Sequence, residues 1–190
     1  MTDAPIEVRA MAPELLQDFL AFFDHEAFAD NPGWAFCYCQ FTYVDHSTVD
    51  WKSRTADENR AAACKRIGSR RMQGLLAYRN GAPVGWCNAA PRTMLDAFSD
   101  EPDPDAARLG QITCFVVAKA HRRSGVATAL LHAACAQLKA QGLAIAEASP
   151  MEAASSDAQA HEGPLSMYLA AGFEVHRTDK DGTVHVRRKL

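Results

Sequence analysis

The spacing of apolar residues divides the first part of the chain into strands and helices. Ile6–Ala10 predicts a short strand, and the apolar stripe Leu15–Phe23 has the spacing of a helix. Pro13 is well suited to open that helix, because its missing N–H would have no partner in the first turn. A second helix is predicted over Val49–Arg71, which is rich in Ala, Arg and Lys. Asn31-Pro32-Gly33 marks the end of the first helix.

A hairpin and a mixed series of elements follow. Gly74–Tyr78 and Val84–Ala89 are apolar runs of strand length, and Asn80-Gly81 between them strongly predicts a tight turn. The rest of the chain predicts, in order, a polar loop (96–107), a buried strand (112–117), a helix (126–141) and a strand (143–148). A polar stretch (151–162), a short helix (164–172) and a hairpin (173–188) follow. This order implies one α/β (α+β) domain, residues 1–190, around a mixed sheet.

Composition narrows the class of protein. The chain has 190 residues, 48% of them hydrophobic and 23% charged, which is the balance of a single globular core. Its formal net charge of −3 argues against a nucleic-acid partner, and no stretch reaches the roughly 18 apolar residues of a membrane-spanning helix. Met1–Glu7 does not resemble a signal peptide, and six cysteines lack C-x-x-C spacing. We therefore expect reduced thiols, a cytoplasmic location and no metal site.

The turn between strand 112–117 and helix 126–141 has the composition of an anion site. Backbone N–H groups and the positive end of the helix converge there, which favours a phosphate group. Gly125 and Ala127 leave room for phosphate oxygens, and the arginines can add charge-assisted hydrogen bonds. The candidate residues, called the phosphate turn below, are Arg122, Arg123, Ser124, Gly125, Val126, Ala127 and Thr128. By spacing alone, an ordinary strand-to-helix connection with exposed arginines fits equally well.

Two motifs resemble those of the GNAT family of N-acetyltransferases. Arg122-x-x-Gly125-x-Ala127 resembles the family pattern Q/R-x-x-G-x-G/A, and Tyr168-x-x-x-Gly172-Phe173, about 40 residues downstream, resembles its Y-x-x-x-G-F. The chain departs from the family in having Lys119 for a proline, His121 for a tyrosine and His161 for an asparagine. The resemblance extends over residues 74–188.

The resemblance implies a fold, a cofactor and a reaction. The fold is a central mixed, mostly antiparallel sheet flanked by helices, with a βαβ unit that binds the cofactor. The cofactor is acetyl-CoA, whose pyrophosphate binds the phosphate turn and whose pantetheine arm follows the main chain of Phe115, Val116 and Val117. The acetyl group passes directly to a primary amine of a small molecule or a peptide. Members of the family often form dimers, so a homodimer is compatible with the resemblance.

Amine acetylation by a thioester requires a base for the amine and an acid for the departing thiolate. An alkyl amine has a pKa near ~10 and arrives charged, and a tyrosine can protonate a thiolate within hydrogen-bond reach. The resemblance makes Tyr168 the candidate acid, although its spacing with Leu165 and Leu169 also fits plain core packing. Glu147, late in strand 143–148, is the candidate base, and a solvated carboxylate with a water chain as base is the alternative.

The aromatic and cysteine-rich segment Trp34–Phe41 is the most unusual part of the chain. By the resemblance it lines the acceptor pocket, with Trp34, Cys39, Trp86 and Asn88 as candidate substrate-binding residues. There are two alternatives: the segment simply packs between the first two helices, or Cys37-x-Cys39 forms a redox or metal-responsive pair. Cys114 is expected to be a small buried hydrophobe, not a nucleophile.

Two other function classes compete with the enzyme. A non-catalytic acyl-CoA-binding or sensor domain would keep the fold and have no need of a placed acid. A nucleotide-binding βαβ enzyme would use the same turn, but the chain lacks the G-x-G-x-x-G glycines and the Lys-Ser/Thr pair of a P-loop.

Overall fold

The computed structural model describes residues 4–151 and 160–190, so residues 152–159 of the predicted polar stretch lie outside the described residues. The strands are β1 (Glu7–Ala10), β2 (Leu75–Arg79), β3 (Ala82–Pro91), β4 (Leu109–Val117), β5 (Ile145–Ala148), β6 (Glu174–Thr178) and β7 (Val184–Lys189). The helices are α1 (Leu16–His25), α2 (Ala56–Gly68), α3 (Val126–Ala140) and α4 (Leu165–Ala170), with short 3₁₀ turns between elements.

The described strands form one sheet in the order β1-β2-β3-β4-β5-β7-β6. Every neighbouring pair is antiparallel except β4 and β5, which are parallel and connected through α3. The predicted mixed, mostly antiparallel sheet with a βαβ unit is thereby confirmed. None of the helices in the described part of the chain has the length and apolar character that a membrane crossing requires.

The second helix starts later than the sequence pattern predicts. The prediction of Val49–Arg71 is wrong at both ends, because the helix spans Ala56–Gly68. Thr55 and Glu58 form a capping box, in which each side chain accepts a hydrogen bond from the other residue's main chain. Asp50 instead caps a separate 3₁₀ turn at Trp51–Ser53. The two caps divide the polar stretch into a turn and a helix.

Two apolar clusters lie on opposite faces of the sheet. Successive residues of a strand point to opposite faces, so in β2 Leu75 and Ala77 join the cluster under α3, whereas Leu76 and Tyr78 join the cluster under α1 and α2. All five residues of β2 are buried. This two-sided burial explains why the strand appears in the sequence as a continuous apolar run.

Close packing of α3 on the sheet depends on Gly85 in β3. A Cβ atom at this residue would lie 2.8 Å from Cγ1 of Val126 and 3.3 Å from Cδ1 of Leu130. Val126 is the first residue of α3. The glycine therefore sets how near the start of α3, and with it the phosphate turn, lies to the sheet.

The parallel strands β4 and β5 pair over only four positions, from Leu109↔Ile145 to Ile112↔Ala148. β4 continues to Val117, still paired with β3 on its other side. Residues 113–117 therefore present a second edge that β5 does not cover. The candidate site lies along this edge.

Gly85→Ala tests the packing of α3. We expect the free energy of unfolding to fall by about 1–3 kcal/mol, because the added methyl group overpacks the contact with Val126. Urea denaturation measures the change. Gly33→Ala is the matched control, since no atom lies within 4 Å of its added Cβ. Equal stability changes in the two variants would contradict the packing role.

Candidate functional site

The phosphate turn has the backbone geometry of a helix start that can receive an anion. Gly125 is the N-cap of α3 with φ of 85°, a left-handed conformation that favours glycine, and no side chain caps the helix there. Because the first amides of a helix have no intrahelical acceptor, they are directed at whatever lies before the helix. The fifteen-residue α3 adds the positive end of its dipole.

The side chains of the turn hold it in place. The Arg122 guanidinium forms a two-point ion pair with Asp30, at 2.6 and 2.8 Å, and its Nε donates to the Val117 carbonyl at 3.1 Å. The Ser124 hydroxyl donates to the carbonyl of His121, and the Ser124 carbonyl accepts from Arg79. Arg122 therefore fastens the turn to the segment before Trp34, and the main-chain amides at the start of α3 are the groups that could receive an anion.

The uncovered edge of β4 is partly occupied by the chain itself. The N–H of Phe115 donates to the carbonyl of His161, and the Val117 carbonyl accepts from Arg122. Val116 lies between them and pairs with Trp86 on β3, so strand alternation directs its main-chain groups away from this edge. Two of the three residues predicted to hold a pantetheine arm thus face the edge, with partners inside the chain.

Tyr168 lies at the inner end of this edge. Its side chain is buried, its ring packs edge-on against Phe115 and Phe173, and its hydroxyl donates to the main-chain carbonyl of Glu162 at 2.8 Å. Burial raises the pKa of the Tyr168 phenol well above its usual value. The phenol therefore keeps its proton at neutral pH and is available as a donor.

Glu147 lies in a buried ion network. Its Oε1 is 3.5 Å from Nη1 of Arg92, and its Oε2 accepts from Nε of Arg187 at 2.6 Å. Arg187 also pairs with Asp103 and Asp105, and Arg92 with Glu101. Both carboxylate oxygens of Glu147 therefore already have a guanidinium partner. Glu147 is also not among the residues that line the cavity beside β4.

That cavity has a volume of about 700 Å³ and reaches the point where β4 and β5 separate, at Thr113, Cys114 and Ser149. One side is aromatic, formed by Trp34, Phe36, Phe41, Trp51 and Phe98. The other is acidic, formed by Glu101, Glu162, Asp179 and Asp181, together with His161 and His185. Among the described residues that line the cavity there is no lysine and no arginine. Two of these carboxylates are neutralised by arginines that do not line the cavity, Glu101 by Arg92 and Asp179 by Arg177. The negative charge of Glu162 and Asp181 is what favours a cationic guest.

The predicted acceptor residues are distributed between this cavity and the core. Trp34 and Cys39 line the cavity. Trp86 is fully buried and packs against Phe19 and Phe23 of α1, away from the cavity. Asn88 is also fully buried; its amide donates to the hydroxyls of Thr42 and Thr113, both of which line the cavity. Asn88 therefore acts on the cavity by positioning two threonines.

Two of the thiols that line the cavity, those of Cys37 and Cys114, have raised pKa values. Burial raises the pKa of Cys37 to about 11, and a hydrogen bond with Cys39, followed by burial, raises that of Cys114 well above its usual value. A nucleophilic thiol requires a lowered pKa. The raised pKa makes Cys114 a poor nucleophile, but its side chain is partly exposed in the cavity and not fully buried as the sequence predicts.

Sequence reasoning missed the contribution of the C-terminal hairpin to the cavity. Asp179, Asp181, Thr183 and His185 come from β7 and the turn before it. In the sequence this region contains only a turn signal, Asp181-Gly182, between two strands. No local pattern shows that the hairpin lies beside β5 and faces Trp34 across the cavity.

Comparisons with known proteins agree with this geometry. A model of the acetyltransferase (GNAT) family matches residues 21–162. An N-acetyltransferase structure from Staphylococcus aureus Mu50 is 18% identical, with a TM-score of 0.59 over 98% of this chain and 99% of the other. The PaiA N-acetyltransferase of Thermoplasma acidophilum in complex with coenzyme A is 14% identical, with a TM-score of 0.56 over 98% and 99%.

YncA, a putative acetyltransferase from Salmonella typhimurium with its cofactor acetyl-CoA, is 14% identical, with a TM-score of 0.55 over 97% of this chain and 94% of the other. At these identities the likenesses show the fold. No curated protein matches the chain.

Glu147→Gln tests the ion network. We expect the free energy of unfolding to fall by about 2–3 kcal/mol, because removing one partner of a buried ion pair leaves the arginine charge uncompensated. The loss is limited because other carboxylates remain near both arginines. Urea denaturation at neutral pH measures the change. The control is Glu14→Gln, whose exposed carboxylate lies 3.8 Å from Arg70 and should cost at most about 0.5 kcal/mol. A Glu147→Gln protein as stable as the control would show that the network is not structural.

Proposed function

This chain belongs to the acetyltransferase (GNAT) family, and on that premise we propose that it transfers the acetyl group of acetyl-CoA directly to a primary amine of a small molecule or a peptide. One observation carries the proposal. Four carboxylates line a cavity that reaches the uncovered edge of β4. Glu101 and Asp179 are ion-paired with Arg92 and Arg177, so Glu162 and Asp181 supply the remaining negative charge. An amine arrives at neutral pH as a cation, so this lining suits an amine acceptor.

The phosphate turn fits the pyrophosphate of coenzyme A. The left-handed Gly125 and the uncapped start of α3 leave main-chain amides for phosphate oxygens. Two of the structural relatives were solved with coenzyme A or acetyl-CoA, which supports acyl-CoA use here. When bound, acetyl-CoA supplies an activated acetyl thioester. The N–H of Phe115 already donates to the carbonyl of His161, so this hydrogen bond has to break before the pantetheine arm can accept from Phe115.

The position of Tyr168 supports its assignment as the acid. Its ring packs against Phe115 of β4, the strand along which the sulfur is expected, and its hydroxyl carries a proton. Like Glu147, Tyr168 is not among the residues that line the cavity. It must exchange its hydrogen bond with the Glu162 carbonyl for one with the thiolate, so the same segment, His161–Gly163, controls both groups. We propose that this segment shifts when the cofactor binds.

Glu147 remains the base suggested by the family resemblance, but its two arginine partners and its absence from the cavity lining weaken that assignment. A non-catalytic acyl-CoA-binding domain is the alternative function. The acid-lined cavity favours the enzyme, because a binder of acyl-CoA alone has no use for a second site.

All six cysteines are free thiols, which supports a reducing compartment such as the cytoplasm.

Thiol release from acetyl-CoA tests the reaction. We expect release with cationic amines such as 2-phenylethylamine and none with amino acids of net negative charge, because the carboxylates repel them. A coloured disulfide reagent follows the thiol, and mass spectrometry identifies the amide. Thermal shifts with coenzyme A, ATP and NAD are the binding control. A shift with coenzyme A and no thiol release for a broad panel of amines would favour the binding domain.

Tyr168→Phe tests the acid. We expect kcat to fall about 100-fold while the affinity for coenzyme A is unchanged, because only the proton donor is lost. Tyr78→Phe is the matched control: its hydroxyl also has a partner, Asp18, but its ring lies on the opposite face of the sheet, in the cluster under α1 and α2. If kcat under saturating substrates is unaltered in Tyr168→Phe, the acid has been assigned to the wrong residue.

A further inference from the structure

Three polar side chains form a hydrogen-bonded chain on the acidic side of the cavity. Oγ of Ser149 lies 3.0 Å from Nδ1 of His185, and Nε2 of His185 lies 2.8 Å from Oδ2 of Asp179. Ser149 directly follows β5, His185 lies on β7, and Asp179 follows β6. The antiparallel register, with Ala148 opposite Val186, brings Ser149 opposite His185.

The surroundings of His185 define its tautomer. Nη2 of Arg177, which can only donate, lies 3.3 Å from Nδ1. Nδ1 must therefore be the acceptor, and Nε2 carries the hydrogen that is donated to Asp179. The Ser149 hydroxyl then donates to the same Nδ1 lone pair. In this tautomer the Nδ1 lone pair faces the serine hydroxyl.

The hydrogen-bonded series Asp179–His185–Ser149 ends at the place where the acetyl group is expected. All three residues line the cavity. Ser149 follows Ala148, whose pairing with Ile112 is the last before β4 and β5 separate. Thr113 and Cys114 line the cavity at the same level. Because His185 is 8% exposed, the imidazole reaches an amine in the cavity through Ser149.

We propose that Ser149, His185 and Asp179 form a proton relay that removes a proton from the acceptor amine. The proposal rests on the acetyltransferase function proposed above. Ser149 is the member that touches the substrate, and His185 and Asp179 act through it.

The proton balance of the step is complete. The ammonium donates a proton to Oγ of Ser149 while the serine's own proton passes to Nδ1 of His185, and Asp179 stabilises the resulting imidazolium. The neutral amine attacks the acetyl carbon, the C–N bond forms, and the C–S bond breaks with its electron pair on sulfur. Tyr168 donates its hydroxyl proton to the sulfur. The second proton of the attacking nitrogen then returns to the Tyr168 oxygen, and His185 releases the first proton to water.

Charges of both signs surround His185. Asp179 can stabilise a protonated imidazole but is itself ion-paired with Arg177, which also lies beside Nδ1 and opposes protonation there. Glu162, which also lines the cavity, interacts electrostatically with His185, and burial raises the pKa of Glu162 itself. Glu147, by contrast, has a guanidinium on each oxygen and does not line the cavity. His185 is therefore the better placed of the two candidate bases.

A pair of acceptors that differ in basicity tests the relay. The probes are 2-phenylethylamine, which arrives charged, and 2,2-difluoro-2-phenylethylamine, whose fluorines lower the amine pKa so that much more of it arrives neutral. We expect His185→Gln to lower kcat/KM at neutral pH by about 10²–10³-fold for the first amine and by less than about tenfold for the second. The deficit for the first amine should shrink as pH rises and the free amine accumulates.

Two further variants and a spectroscopic measurement complete the test. Ser149→Ala should show the same dependence on amine basicity and leaves the hairpin intact if His185→Gln does not fold. His176→Gln, an exposed histidine of β6 outside the cavity, is the matched control and should match the unaltered protein. Nitrogen-15 NMR of the protein without coenzyme should show the hydrogen of neutral His185 on Nε2.

The outcomes separate the relay from the reaction. Unaltered protein that binds coenzyme A but acetylates neither amine contradicts the proposed function, and the relay with it. Active protein in which His185→Gln or Ser149→Ala slows both amines equally at every pH overturns the relay alone, since a purely structural role does not depend on amine basicity. Hydrogen on Nδ1 of His185 would also overturn it.

Discussion

The early separation of the two parallel strands is the constraint on which the site depends. β4 and β5 pair at four positions, and β4 then extends five residues further without β5 beside it. Both strands point their carboxyl ends at this opening, so the phosphate turn after β4 and Ser149 after β5 meet at the same end of the sheet. A fully paired sheet would leave neither a free edge for a cofactor arm nor access to the cavity.

Arginines maintain this opening from outside the reacting region. Arg122 ties the phosphate turn to Asp30, near the aromatic side of the cavity. Arg92 and Arg187 hold Glu147 in β5 and connect it to the acidic loop that precedes β4. Removing one partner of such a buried ion pair is costly, which suits Glu147 to a structural role. Asp179 is paired with an arginine too, Arg177, but it also accepts from the imidazole of His185, a group that can gain and lose a proton.

The segment before α4 is hydrogen-bonded both to the uncovered edge of β4 and to the proposed acid, Tyr168. The carbonyl of His161 occupies the N–H of Phe115, and the carbonyl of Glu162 occupies the hydroxyl of Tyr168. Gly163, which has φ of 73°, lets the segment turn tightly over Tyr168, because a Cβ there would lie 3.3 Å from the tyrosine ring. A cofactor that displaces one carbonyl is thus expected to disturb the other, which couples the two steps through a few residues of main chain.

Local sequence signals determined the elements and the helix start that can bind an anion. The Asn80-Gly81 turn, the apolar stripe of α1 and the Gly125 connection each encode a backbone conformation within a few residues, and the structure has a matching element at each. Only the tertiary structure decided which side chains share the cavity. Trp86 and Asn88 are buried away from it, whereas Ser149, Asp179 and His185, from separate strands and a turn, converge on it. Strand register and the lateral order of strands bring distant residues together, and neither property is encoded in the spacing of neighbouring residues.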